Sequence, residues 1–179
     1  GVKTDRTGKG SMPIPGKFVI NNQEMSTLTM FGVGSFPAYS GNKKSRNRVS
    51  DVAVPMQGPI PPGKYYIVDR PTGGWKGVIR TDLHDFYSWP TPTPVIKGEW
   101  FALYRQDGKI DDFTWINGVK RGNFRLHPPG PLGISEGCVT LKNRTDFLTI
   151  RQSLLSTQIR KLPNGLVTYG EIEVVTDEN

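Results

Sequence analysis

The chain has one cysteine and two histidines, and one of those histidines shares a short stretch with the cysteine: "RLHPPGPLGISEGCVTL", residues 125–141. An imidazole that meets a thiol takes or shares its proton, lowering the thiol pKa from about 8.5 toward neutrality and generating a nucleophile. His127 and Cys138 are therefore the candidate base and nucleophile. Gly137, with no side chain ahead of the nucleophile, lets a substrate carbonyl approach the backbone N–H groups around Cys138, which would act as an oxyanion hole. The carbonyl of Pro128, or another acceptor, is needed to orient the His127 ring. The competing reading is an inert, buried cysteine beside an ordinary histidine, set against the general rule that a single cysteine with a histidine elsewhere is a candidate catalytic pair.

Such a pair needs rigid elements to bring it together. "NFRLH" (123–127) alternates like a strand and places His127 at its end, "PPGPLG" turns the chain, and "ISEGCVTL" begins a second ordered run with Cys138 near its start. Elsewhere, apolar and β-branched runs recur between turn signals. Strands are expected at "KFVINN" (17–22), "STLTMFG" (26–32), "KYYIVDR" (64–70), "WFALYR" (100–105), "FTWING" (113–118) and "LVTYGEIEVV" (166–175). "GPIPPG", "PTGG", "QDGK" and "PNG" supply the turns. "PTPTPVIKG" (90–98) carries too many prolines for a central strand and reads as an edge or loop. Helical spacing occurs once, over 143–160, with Phe147, Ile150, Leu154 and Leu155 on one face and Asn143 or Thr145 able to cap the first turn. The expected fold is mostly β with one main α-helix, in a single domain.

A net charge of +7 over 179 residues favours anionic partners: nucleic acid, acidic glycans, peptidoglycan or membrane surfaces. The densest basic cluster, "GNKKSRNR" (41–48), has the composition of a loop. One cysteine cannot form an intramolecular disulfide. "GVKTDRTGKGSMPIPG" lacks the apolar core of a signal peptide, and no run approaches a membrane span, so no membrane insertion is expected. Two histidines and one cysteine are a poor zinc set, and neither metal nor cofactor is expected. His84, in "DLHDFYSW", reads as a loop histidine.

"SEGCVTLKN" (135–143) resembles the YkuD-type L,D-transpeptidase motif through Ser135, Gly137, Cys138, Val139 and Asn143, with Glu136 where that family has His and Thr140 where it usually has Arg. The chain resembles more closely the type VI secretion L,D-transpeptidase effectors, a diverged toxin branch. The similarity rests on "FRLHPPGPLGISEGC" (124–138) and extends through "PAYSGNKKSRN" (37–47), "GPIPPGKYYIVDRP" (58–71) and 100–129. It covers roughly residues 25 to 175. The resemblance implies a YkuD-like catalytic β-fold over 25–179 behind an N-terminal segment, 1–24. It further implies an antibacterial toxin that attacks the tetrapeptide stems of peptidoglycan between the diamino acid's L-centre and the terminal D-alanine. Cys138 would form the acyl-enzyme, with His127 as base and then acid. Implied partners are peptidoglycan stem peptides, a cognate immunity protein and the type VI secretion machinery, with synthesis in the cytoplasm and delivery to the periplasm of a target bacterium. Nucleic acid is not an expected partner.

Four further residues are candidate substrate contacts. Arg125 shares a strand face with His127 and could meet a stem-peptide carboxylate or form a structural salt bridge. Ser135 could bond backbone in the tight turn or hold substrate. Tyr39 and Ser40 match the family's "YSG" segment and could line the cleft. The alternatives are a noncatalytic wall-binding module, another Cys/His peptidoglycan peptidase, and a nucleic-acid-binding β-barrel. A papain-like order is disfavoured because His127 precedes Cys138.

Overall fold

The computed structural model describes residues 13–71, 99–130 and 137–177. In chain order they form β1 (Ile14–Ile20), β2 (Ser26–Met30), β3 (Gly34–Tyr39), β4 (Gly63–Asp69), β5 (Phe101–Arg105), β6 (Phe113–Ile116) and β7 (Val119–Gly122). There follow β8 (Arg125–His127), β9 (Val139–Leu141), α1 (Arg144–Ser156), β10 (Arg160–Lys161) and β11 (Val167–Thr176). The mostly β, single-domain expectation with one main helix describes this arrangement.

The large sheet runs β1-β2-β3-β9-β8-β5-β4-β11-β10, and β1 also pairs with β11. That second pairing, parallel from Ile14↔Gly170 to Ile20↔Thr176, closes eight strands into a barrel-like ring and removes the exposed edges that an open sheet would leave. β1 falls within the stretch 1–24 that the sequence sets apart as a segment; with partners on both sides, it makes the sheet begin at Ile14. β6 and β7 form a separate hairpin, turned by Asn117 and Gly118, both at positive φ, as a two-residue type I′ connection requires.

Alternation along the strands sends one face inward. Phe18, Ile20, Leu28, Met30, Tyr65, Ile67, Leu103, Leu126, Ile172 and Val174 build one continuous apolar cluster, joined by Phe147, Ile150 and Leu154 from α1. The expected helix face is thus the buried one except at Leu155, which is 46% exposed. At the helix start Asn143 occupies the cap position with extended backbone but makes no side-chain cap bond; its amide donates instead to the Asp146 carboxylate, 3.2 Å away. Asp146 in the first turn suits the positive end of the helix dipole. Replacing Ile150, which is 1% exposed, with valine should lower stability by about 0.5–1.5 kcal/mol, seen as a lower urea midpoint at unchanged slope.

β3, unanticipated because "GSFPAY" contains proline, pairs on both sides. Pro37 is tolerated because it faces Lys142, one residue beyond β9. Lys142 donates to the Pro37 carbonyl at 3.0 Å, and the missing reciprocal donor falls at the last rung of the ladder.

Candidate active site

β8 and β9 are parallel neighbours, with Leu126 opposite Val139 and His127 opposite Thr140. Leu126 and Val139 belong to the barrel core. The period of two therefore turns His127 and Thr140 to the outer face, together with Arg125 and Cys138 two residues earlier on each run. The two sequence candidates for base and nucleophile are set on one face of adjoining strands.

His127 is 4% exposed. Its Nδ1 lies 2.6 Å from the Pro128 carbonyl, and since a carbonyl only accepts, Nδ1 carries the proton and Nε2 presents its lone pair. Nε2 lies 3.5 Å from Thr140 Oγ1. Trp100 stacks on the imidazole with ring centroids 4.4 Å apart at an interplanar angle of 21°, and the Arg70 guanidinium sits 4.5 Å from the Trp100 centroid. The stack and the Pro128 bond together fix the plane and tautomer of the ring.

Cys138 is half-buried, with Sγ 3.9 Å from the Asn123 carbonyl. Asn123 has φ of 59°, one of the few left-handed positions filled by a residue other than glycine, and asparagine tolerates it best. Gly137 is buried at φ +97°; a Cβ there would fall 2.7 Å from Arg121 Nη2 and 3.0 Å from the Phe124 ring. Glycine before Cys138 is thus demanded both by conformation and by the arginine packed beneath it.

The four candidate substrate contacts fare differently. Arg125 makes a two-pronged salt bridge to Asp112, both hydrogen bonds at 2.9 Å, with its side chain 12% exposed. Burial works against its charge, but the hydrogen bond and charge of Asp112, with Cys138, raise its pKa. The structural salt bridge is therefore the arrangement present. Tyr39 pairs with Thr140 across β3 and β9, placing it on the same face as His127, and the Arg46 guanidinium lies 3.9 Å from its ring centroid. Burial raises the Tyr39 phenol pKa, with Arg46 opposing. Ser40 is fully buried; its hydroxyl accepts from the Ile60 N–H at 2.8 Å and its N–H donates to Asn47 Oδ1 at 2.9 Å. It ties the loop that follows β3 to residue 60, so it belongs to the scaffold rather than to the cleft wall. Ser135, His84 and the stretch 90–98 lie outside the described residues.

Three side chains at this site were not candidates from sequence. Thr140 appeared only as a departure from a motif, yet its hydroxyl lies 3.5 Å from the His127 Nε2 atom. Trp100 read as strand material; only the fold lays it on the imidazole. Arg121 read as one of many scattered cations, and nothing local distinguishes a buried arginine from an exposed one. Among the described residues no group of three or more His, Cys, Asp or Glu side chains is placed to hold a metal ion, and no helix is long and apolar enough to cross a membrane.

A family model described as the Tlde1 domain matches residues 34–165, a span that contains β3 through α1 and both His127 and Cys138. No curated protein and no solved structure gives a match.

Proposed function

Because this chain belongs to the Tlde1 domain family of antibacterial type VI secretion effectors, we propose that it is a cysteine L,D-carboxypeptidase and L,D-transpeptidase acting on peptidoglycan tetrapeptide stems. The observation that carries this reading is the parallel β8–β9 register, which turns Cys138 and His127 to one face of neighbouring strands, with His127 Nδ1 held by Pro128 and Nε2 facing the Thr140 hydroxyl. Membership also implies delivery by the secretion machinery and a cognate immunity protein. We place its action in the periplasm of the target cell. The same reading makes the barrel a diverged YkuD-like catalytic fold.

Cys138 passes its thiol proton to His127 Nε2, and Sγ attacks the carbonyl carbon that joins the diamino acid's L-centre to the terminal D-alanine. The carbon–sulfur bond forms while backbone N–H groups near Gly137 and Cys138 stabilise the oxyanion. The carbon–nitrogen bond then breaks, and the departing D-alanine amine takes its proton from His127 Nε2. In the second half, water or the amine of a free D-amino acid gives a proton to Nε2 and attacks the thioester. Water leaves a tripeptide; an amino acid leaves an exchanged tetrapeptide. The tripeptide has lost the bond that a crosslinking donor needs, the exchanged tetrapeptide carries a different terminal residue on it, and either product is a poor donor. Tyr39 lies along the same face as His127 and supports a role in lining the substrate path.

Mass spectrometry of muropeptides from purified sacculi tests the reaction, with the protein, its Cys138→Ala variant and added D-methionine. Tripeptides or D-methionine tetrapeptides should form only with the intact thiol. Unchanged muropeptides with a folded protein would favour a wall-binding module, for which one observation speaks. On the β6–β7 hairpin Trp115 is 63% and Phe113 42% exposed, and Lys120 Nζ lies 4.2 Å from the Phe113 centroid. That module would pellet with sacculi equally well with and without Cys138.

A further inference from the structure

Arg121 is 3% exposed, an unusual place for a permanent cation. It reaches the interior from β7, where it pairs with Thr114. Its Nη1 donates to the carbonyls of Val52 and Pro59, and its Nη2 donates to that of Gly58 at 3.0 Å. The guanidinium carbon lies 5.3 Å from the Phe124 centroid. These partners satisfy N–H donors, but carbonyls and a ring face carry no net charge. Among the described residues no carboxylate pairs with it, whereas Arg125, the half-buried arginine at the site, has Asp112 as its counter-ion. Held among the described residues by carbonyls and a ring face, Arg121 is a costly charge to bury.

What Arg121 packs against is the segment carrying the nucleophile. Its Nη2 occupies the space a Cβ on Gly137 would need, at 2.7 Å, and Cys138 is the next residue. Among the described residues, charged groups coupled to Cys138 include Arg121 from β7 and Arg125 from β8, Arg125 being neutralised by Asp112, and His127 shares the same face of the sheet. We propose that Arg121 is the standing counter-charge of the Cys138 thiolate, a positioning residue that keeps the nucleophile ionised and leaves His127 to handle the leaving-group proton.

The electrostatics agree in sign. Burial lowers the Arg121 pKa, while Tyr65 and Cys138 raise it, so a thiolate stabilises this cation as the cation stabilises the thiolate. The ionising proton passes from Sγ to His127 Nε2; no other co-reactant is required. The resulting imidazolium is the acid that protonates the departing amine, which is where this inference rests on the proposed reaction. The thiolate itself does not depend on that reaction.

Alkylation of the full chain by iodoacetamide as a function of pH tests the idea without any wall substrate. In His127→Ala the rate should still rise with a midpoint below the ordinary thiol value of about 8.5. Adding Arg121→Met should raise that midpoint by about one pH unit or more, close to a tenfold loss of thiolate near pH 7. Arg121→Lys, which keeps the charge, should restore most of it. An ordinary midpoint in His127→Ala alone, or a profile unmoved by Arg121→Met in a protein whose melting shows it folded, would overturn the proposal. Should the methionine variant fail to fold, the His127→Ala and Arg121→Lys profiles decide: both low supports it, and an ordinary His127→Ala midpoint ends it. A low midpoint with unchanged muropeptides would reject the proposed reaction and not the counter-charge; tripeptide release with an ordinary midpoint would do the reverse.

Discussion

Cys138→Ser should leave the fold intact and reduce tripeptide release from sacculi by roughly 10⁴–10⁶-fold, the scale of losing the nucleophile of a covalent mechanism. The substitution is nearly isosteric. Cys138 is half-buried and its Sγ makes a long 3.9 Å contact to the Asn123 carbonyl, so stability should change by less than about 1 kcal/mol. What changes is acidity. A thiol can be ionised by a neighbouring imidazole and a fixed cation at neutral pH, whereas a serine hydroxyl needs its proton removed during attack. The check is a pair of measurements on one preparation, thermal melting and a time course of tripeptide formation. Activity within tenfold of the parent would place the nucleophile elsewhere and leave the His127–Cys138 arrangement without its assigned task.

Gly137→Ala should damage both stability and turnover. At φ +97° an L-residue is strained by about 1–3 kcal/mol. The new methyl would also sit 2.7 Å from Arg121 Nη2 and 3.0 Å from the Phe124 ring. Neither neighbour yields easily: Arg121 is tied to the carbonyls of Val52, Gly58 and Pro59, and Phe124 is 2% exposed and packs edge-on against Tyr65 at 5.8 Å. The Gly137–Cys138 backbone must therefore shift. A displacement near 1 Å at a nucleophile costs about 10²-fold in rate, through both the sulfur and the amides meant for the oxyanion. Urea unfolding and the same tripeptide assay read the two effects separately. An alanine variant with parental midpoint and parental rate would show that the segment does not need this conformation.

Much of the strand pattern was legible because alternation is a local property. The stretch 26–32 contains β2, 64–70 contains most of β4, 166–175 most of β11, and the buried face of α1 follows from the spacing of Phe147, Ile150 and Leu154. The elements that escaped are those whose stability comes from partners. β3 carries a proline that its own sequence cannot justify, and β10 exists through its pairing with β11. Of the candidate site residues, Arg125 and Ser40 show the same limit. Each has the right chemistry, and for each the fold supplies a nearer partner: Asp112 for the guanidinium, and the Ile60 N–H for the hydroxyl.

The sequence by itself determined the inventory of reactive side chains: one thiol, one nearby imidazole, a glycine before the thiol, and a strand ending at His127. Those are facts of residue type and short spacing, which fix chemistry and local backbone preference. Only the tertiary structure decided how they are used. The parallel register of β8 and β9 sets the thiol and imidazole on one face, Trp100 and Pro128 lock the ring, and closure of β1 on β11 completes the barrel. Arg121 is placed against Gly137, the residue before the thiol, by the same means. Register, closure and the burial of a charge depend on contacts between residues far apart in the chain, where competing pairings differ in free energy but not in local pattern.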